Sequence, residues 1–139
     1  MRCVLDPNVL VAALLSGRGP PAELVRLWLD GTFELVASPL LLDELKRVLE
    51  YPKLRTRVSE PEAKAFLTLL SQEANLIDDP ARAPSLRSAD PDDDYLVALA
   101  EEARAVIASG DQHLLAMAGK IPVYAPADLT KLLRAPESD

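Results

Sequence analysis

Four acidic residues, far apart in the chain, occupy positions from which folding can bring their carboxylates together. Asp6 and Asp111 each follow a short apolar segment that is typical of a strand, whereas Glu44 and Asp93 lie beside the apolar stripes of predicted helices. Carboxylates that converge on one place repel one another without a cation, and their oxygens suit Mg²⁺ or Mn²⁺ better than zinc. Since a divalent ion activates water and stabilises an in-line transition state, the set predicts phosphoryl-transfer chemistry.

Each acid taken alone also has an ordinary structural explanation. Asp6 and Asp111 are placed to cap the helices that follow them. Glu44 lies four residues from both Leu40 and Val48, so it is equally consistent with a boundary residue that pairs with an arginine. The hypothesis of a metal site therefore depends on the four acids as a set.

The third acid comes from the run Asp90–Asp94, in which a helix start explains one or two of the acids, Asp90 and Asp92, but not three adjacent carboxylates. Asp93 lies on the helical stripe that faces the predicted sheet, together with Leu96, Val97 and Ala100. Asp92 remains an alternative because it shares a helix face with Leu96 and Leu99. Asp94 is expected to be more exposed.

Segments typical of strands alternate with segments typical of helices, which predicts an α/β domain with a parallel sheet. Strands are predicted at residues 2–5, 33–37, 75–77, 105–108 and 123–124. Helices are predicted at residues 9–15, 22–29, 39–50, 60–73, 90–103, 112–117 and 127–133. Active sites of open parallel sheets lie beyond the carboxyl ends of the strands, so the acids that follow the first and fourth strands are expected to meet.

Composition sets limits on the class of protein. A chain of 139 residues, 49% of them hydrophobic, is predicted to form one domain over residues 1–134, followed by a polar tail at 135–139. The formal charge of −7 argues against a simple nucleic-acid-binding module but not against an enzyme that recruits Mg²⁺. The single cysteine excludes an internal disulfide framework, and no apolar run is long enough for a membrane span. We expect a soluble, cytoplasmic protein.

With these residues the sequence resembles the PIN-domain family, and within it the toxin-like, VapC-type members. The resemblance is carried by four segments in the expected order: Val4–Val9, Ser38–Leu45, Asp90–Asp94 and Ser109–Asp111. It implies a three-layer α/β/α sandwich around a parallel sheet of about five strands. It also implies an Mg²⁺- or Mn²⁺-dependent endoribonuclease with RNA as substrate, a cognate antitoxin as partner and a homodimer.

Carried over residue by residue, the resemblance implies that the metal-binding and catalytic acids are Asp6, Glu44, Asp93 and Asp111. Asp93 is preferred to Asp92 because Ala100 and Asp111 follow it at the distances typical of the family. The helix-face argument selects the same residue. We therefore expect Asp93 to be a ligand and keep Asp92 as the second choice.

Neighbouring positions match the family in part. Asn8 and Ser109 are expected to support the carboxylates by hydrogen bonds. Pro7 replaces the usual threonine and supplies neither a hydroxyl nor an N–H, so one supporting hydrogen bond is expected to be missing. His113 replaces an acid that family members often have two residues after the fourth aspartate, and it is left outside the predicted site.

A cluster of basic residues gives this acidic protein a means of holding RNA. Five of the 15 basic residues are concentrated within twelve positions: Lys46, Arg47, Lys53, Arg55 and Arg57. Arg55 and Arg57 are the predicted RNA contacts. A solvated helix end is an equally good explanation of this stretch.

The sequence argues against two rival functions and leaves a third open. An aspartyl-phosphate phosphatase needs an aspartate where this chain has Asn8. A receiver domain needs paired acids near its first strand and a lysine after its fifth, but Asp6 has no acidic neighbour and Lys120 precedes the last strand. A PIN-like module that binds RNA or protein without cleavage stays open, because Pro7 could weaken the metal site.

Overall fold

The computed structural model describes residues 1–84 and 91–135. Asp90, at which a helix was predicted to start, and residues 136–139 of the predicted tail lie outside this part of the chain.

A parallel sheet lies at the centre of the fold. Over the described ranges its strands are β1 (Arg2–Leu5), β2 (Glu34–Ala37), β3 (Asn75–Leu76), β4 (Val106–Ala108) and β5 (Val123–Tyr124). They pair in the order β3-β2-β1-β4-β5, and every pairing is parallel. Helices flank the sheet, so the strands are apolar and buried on both faces, as in Leu5, Leu35 and Ile107. The predicted α/β/α fold is confirmed.

The helices begin where the sequence supplies a cap or a proline. Their bounds are α1 (Pro7–Leu15), α2 (Pro20–Leu29), α3 (Pro39–Leu49), α4 (Pro52–Arg55), α5 (Glu60–Glu73), α6 (Asp94–Ala103), α7 (Gln112–Leu115) and α8 (Pro126–Arg134). Ser38 caps α3 by accepting the Leu41 N–H, and the predicted capping box between Ser59 and Glu62 is formed at α5. Proline at the first helical turn costs no hydrogen bond, which explains its use in six of these helices.

Several elements differ from the sequence prediction, among them α2, which begins at Pro20 rather than residue 22, and α7, which ends at Leu115 rather than residue 117. Helix α1 begins at Pro7 rather than residue 9, because Asp6 accepts the Asn8 N–H and caps it there. Helix α4, which was not predicted, is one turn that opens on Pro52. The acidic run forms a 3₁₀ helix, Pro91–Asp93, before α6 begins at Asp94, whereas a continuous α-helix was predicted. A 3₁₀ turn is tighter than an α turn, so it changes which faces Asp92 and Asp93 present.

The order of the strands determines where a site can form. The chain moves from β1 to β2 on one side and later returns to place β4 on the other side of β1. The carboxyl ends of β1 and β4 therefore form a topological switch point, where open α/β sheets bind ligands. Leu5 is in register with Ala108, and the Asp6 N–H donates to the Ala108 carbonyl at 3.0 Å. This register places Asp6 beside Ser109.

None of the helices in the described residues combines the length and the hydropathy needed to cross a lipid bilayer.

Candidate active site

An open cavity of about 520 Å³ lies at the carboxyl ends of β1 and β4. The four acids predicted from the sequence all line it, together with the alternative, Asp92. They reach it from the end of β1, from α3, from the 3₁₀ turn before α6 and from the loop after β4. Folding thus collects five carboxylates from four parts of the chain around one space.

Asp6 is the most deeply buried of these acids, at 5% exposed. Its Oδ1 accepts the Asn8 N–H at 3.0 Å, and its Oδ2 accepts the Ser109 hydroxyl at 2.8 Å. Burial raises the pKa of Asp6, and the nearby Asp111 and Glu44 carboxylates raise it further, although the two hydrogen bonds oppose the shift. Ionisation of Asp6 is therefore more costly than that of an exposed aspartate.

Ser109 connects two of the acids. Its side chain is fully buried, and its Oγ donates to Asp6 Oδ2 while accepting the Asp111 N–H at 2.9 Å. The predicted supporting hydroxyl therefore acts on the Asp6 carboxylate directly and on Asp111 through its backbone. Asn8, by contrast, supports Asp6 through its backbone N–H, and its side chain is exposed at the cavity edge.

Asp93, Asp111 and His113 form the tightest group of possible metal ligands among the described residues. One ligand atom from each lies within 4.8 Å of the other two. Asp111 caps α7 by accepting the His113 N–H at 2.7 Å, and His113 Nδ1 lies 3.6 Å from the same oxygen. Sequence reasoning left His113 out of the site. The sequence did contain one signal for including His113, because it stands at a position where family members often have an acid.

Glu44 is held at the cavity wall by α3. The amino end of α3 is fixed by Ser38, which caps it, and by Asp79, whose Oδ2 accepts the Leu40 N–H at 2.9 Å. Glu44 Oε2 contacts Arg47 Nη2 at 2.5 Å, one turn along the helix. Arg47 also lines the cavity. Glu44 therefore lines the cavity, and its carboxylate is paired with the guanidinium group of Arg47.

Tyr95 is a further side chain of the cavity that sequence reasoning missed. It is half-buried at the start of α6. Burial raises the pKa of its hydroxyl, and the charges of Asp6 and Glu44 raise it further. Tyr95 therefore stays protonated at neutral pH and offers a hydrogen-bond donor among the carboxylates.

Comparison with known proteins identifies the family. A family model described as the PIN domain matches residues 2–113, which include every acid of the cavity. The chain belongs to the PIN-domain family. PIN domains are generally nucleases.

Relatives of this PIN domain extend the match over most of its length. An uncharacterized protein of Methanocaldococcus jannaschii, MJ1680, is 28% identical over 118 residues, which are 84% of this chain and 75% of the relative. A crystal structure of VapBC2 from Rickettsia felis, bound to a promoter DNA fragment, contains a chain with a TM-score of 0.62 and 15% identity. The match covers 90% of this chain and 98% of that one. A structure of FitAB bound to an IR36 DNA fragment gives a TM-score of 0.56 at 20% identity and covers 99% of both chains. At these identities the two structures show that the fold is shared.

Besides His113, this PIN domain departs from the family pattern at Pro7. This proline is buried, lines the cavity and occupies the first position of α1. A capping side chain accepts from the second or third residue of the helix, so Asn8 donates to Asp6 and the N–H that proline lacks is not needed for the cap. Proline therefore preserves the helix cap on Asp6 while removing the hydroxyl that a threonine would supply.

The two arginines predicted to contact RNA do not line the cavity of the PIN domain. Arg57 is exposed, and its Nη2 donates to the Leu15 carbonyl at 3.4 Å, at the end of α1 that lies about 13 Å from Asp6. Arg55 is half-buried in a separate depression between α3 and α5, beside Lys64. The basic residue of this stretch that reaches the cavity is Arg47. A role of Arg55 and Arg57 in RNA binding stays a prediction.

The donor set of the cavity fits a divalent cation. Asp93 and Asp111 offer carboxylate oxygens, His113 offers an imidazole nitrogen, and Asp6 and Glu44 face the same space. Burial, and then the charges of Asp111 and Glu44, raise the pKa of Asp6, and a cation bound beside it would favour its charged form. Hard oxygen donors predominate, which matches Mg²⁺ or Mn²⁺.

Proposed function

We propose that this PIN domain is an Mg²⁺- or Mn²⁺-dependent endoribonuclease and the toxin component of a toxin–antitoxin pair. The observation that carries the proposal is the convergence of Asp6, Glu44, Asp93 and Asp111 on one open cavity at the switch point of the sheet. Carboxylates in this arrangement need a cation, and an open cavity admits an extended phosphodiester chain.

The residues of the cavity have separate tasks in this proposal. Asp93 and Asp111 would hold the divalent ion, and Asp6 and Glu44 would complete or support its ligand shell. Such an ion supplies Lewis acidity at a phosphate oxygen and lowers the pKa of water. Ser109 fixes the orientation of the Asp6 carboxylate by its 2.8 Å hydrogen bond. Hydrolysis is expected to leave 5′-phosphate and 3′-hydroxyl ends.

Arg47 is the cavity residue best suited to contact the substrate. Among the described residues that line the cavity it is the one with a permanent positive charge, and its side chain is 62% exposed. Its present partner, Glu44, is itself a predicted ligand. A phosphate that neighbours the scissile bond can take the place of Glu44 at the guanidinium group when Glu44 turns towards the ion.

Arg47→Gln is expected to raise KM for a short single-stranded RNA by up to about fivefold and to leave kcat nearly unchanged. Binding should also become less dependent on salt, with a slope reduced by about 0.7, which corresponds to one phosphate contact. Initial rates and fluorescence anisotropy over a salt series measure both effects. Arg57→Gln is the matched control, because it removes the same charge away from the cavity. Equal effects of the two variants would contradict a local contact.

The ribonuclease proposal is tested by incubating the purified chain with labelled single-stranded RNA and with DNA of the same sequence. We expect cleavage of RNA with Mg²⁺ or Mn²⁺, no cleavage with EDTA, and products that a 5′-phosphate-dependent exonuclease degrades. Cleavage that persists in EDTA would show that the mechanism is wrong. Cleavage of DNA in preference to RNA would contradict the substrate class.

The toxin role rests on the resemblance to VapC-type members and on the likeness to chains of the VapBC2 and FitAB complexes. A toxin of this type would bind a cognate antitoxin, form a homodimer and act in the cytoplasm. Co-expression with the product of a neighbouring gene, followed by co-purification and growth measurement, tests the antitoxin.

A PIN-like module that binds RNA or protein without cleavage is the second candidate. Pro7 favours it, because the cavity lacks the hydroxyl usually found at that position. Calorimetric titration of Mn²⁺ into the wild type and into Asp93→Asn separates the two functions. If the protein is a nuclease, the wild type should bind Mn²⁺ and Asp93→Asn should bind it more weakly. Absence of Mn²⁺ binding by the wild type would favour the module that does not cleave.

A further inference from the structure

We infer that His113 supplies a nitrogen ligand to the divalent ion and makes this site favour Mn²⁺ over Mg²⁺. The inference rests on the proposed function, since it concerns the ion of the same cavity. It differs from the expectation drawn from the sequence, which left His113 outside the site.

The first support is geometric. Ligand atoms of His113, Asp93 and Asp111 all lie within 4.8 Å of one another. Donor atoms that share one ion, each about 2.1 Å from it, lie about 3–4 Å apart. The imidazole is 57% exposed, so its side chain has solvent-filled space in which to turn towards a shared ion.

The second support is the way in which the backbone of His113 is held. Its N–H donates to Asp111 Oδ1 at 2.7 Å, because Asp111 caps α7. The two residues are therefore fixed side by side whatever side chain stands at position 113. A substitution at position 113 therefore changes the donor atom that this residue offers, while the backbone hydrogen bond to Asp111 is kept.

The third support is the chemistry of the donor. An acid at position 113, as the family often has, would give an all-oxygen and more negative ligand group, which suits Mg²⁺. A neutral imidazole removes one negative charge and adds a nitrogen donor. Both changes weaken the attraction for Mg²⁺, which prefers hard oxygen ligands, more than that for transition ions, which accept imidazole.

His113→Asp and His113→Gln test the inference with the metal alone, without nucleic acid. Calorimetric titrations at about pH 8, where a free imidazole is neutral, give the affinities for Mn²⁺ and Mg²⁺. We expect the wild type to prefer Mn²⁺. His113→Gln should lose about tenfold in Mn²⁺ affinity with a smaller change for Mg²⁺, and His113→Asp should gain affinity for Mg²⁺ and lose the preference.

A spectroscopic measurement identifies the ligand directly. The chain contains a single histidine, so any imidazole nitrogen coupling in the pulsed electron paramagnetic resonance of bound Mn²⁺ must come from His113. The coupling should be present in the wild type and absent from both variants. Bound Mn²⁺ without nitrogen coupling, together with an unchanged ion preference in His113→Gln, would overturn the inference, and histidine would then only pair with Asp111.

The outcomes also separate this inference from the proposed function. If Mn²⁺ binds without His113 and the wild type still cleaves RNA in a metal-dependent way, only the inference fails. If the wild type binds neither ion, the inference and the metal-dependent mechanism fail together.

Discussion

Asp6→Asn is expected to lower metal-dependent cleavage by at least about 100-fold and to leave the fold intact. Loss of residues that merely support a metal ligand costs about 10–100-fold, so loss of a buried carboxylate of the cavity should cost no less. Asparagine has the same shape and is an equally good helix cap, so it can still accept the Asn8 N–H and open α1. Cleavage rates with Mn²⁺, at matched circular dichroism spectra, measure the effect.

The matched control is Asp43→Asn, which removes one charge from an exposed position of α3 next to Glu44 and outside the cavity. It should keep cleavage close to that of the wild type. Asp93→Asn should resemble Asp6→Asn, whereas Asp92→Asn should be milder if Asp93 is the ligand. Activity of Asp6→Asn within tenfold of the wild type would contradict the assignment of the cavity.

The pKa of Asp6 predicts how the same variant behaves without metal. Because burial raises this pKa in the folded state, protonated Asp6 stabilises the folded chain below the ordinary value of 3.8. That contribution is lost as the pH rises through the raised pKa, where the buried group must ionise. In EDTA, the free energy of unfolding of Asp6→Asn should therefore fall less than that of the wild type over this pH range.

The alternation of strands and helices was sufficient to predict a parallel sheet and the meeting of Asp6 with Asp111. Both acids end strands, and the carboxyl ends of parallel strands share an edge. The sequence could not predict that Ser109 links the two acids, because this link depends on the register that pairs Leu5 with Ala108. Periodicity identifies the face of an element, but not its alignment with a neighbour.

Arg47 lies three residues after Glu44, a spacing at which helical ion pairs form, and a pairing of Glu44 with an arginine was one of the two explanations that the sequence offered. The residues that were missed are Tyr95 and His113. Tyr95 lines the cavity because α6 packs at the switch point, which no local pattern encodes. His113 lies beside Asp111 through the cap of α7, and it was missed although its position in the family pattern was a signal. The 3₁₀ turn before α6 likewise brings Asp92 to the cavity beside Asp93, although an α-helical wheel separates their faces.

Ser109→Ala tests whether the acids are held in place before the ion arrives. The substitution leaves two partners of the hydroxyl unsatisfied, Asp6 Oδ2 and the Asp111 N–H. An unsatisfied buried polar group costs about 1–3 kcal/mol, and loss of a group that orients a metal ligand costs about 10–100-fold in metal affinity. We therefore expect a lower free energy of unfolding in EDTA and weaker Mn²⁺ binding, measured by urea denaturation and calorimetry.

Two further variants separate the hydroxyl from the fold. Ser109→Thr keeps the hydroxyl and should retain more Mn²⁺ affinity than Ser109→Ala, even though its extra methyl group enters a fully buried position. Ser71→Ala removes an exposed hydroxyl that donates to the Leu67 carbonyl within α5, and it should change stability by less than about 0.5 kcal/mol. If Ser109→Ala binds Mn²⁺ as tightly as the wild type does, the carboxylates are oriented by the ion rather than by the protein. The hydrogen bonds around Asp6 would then serve the fold alone.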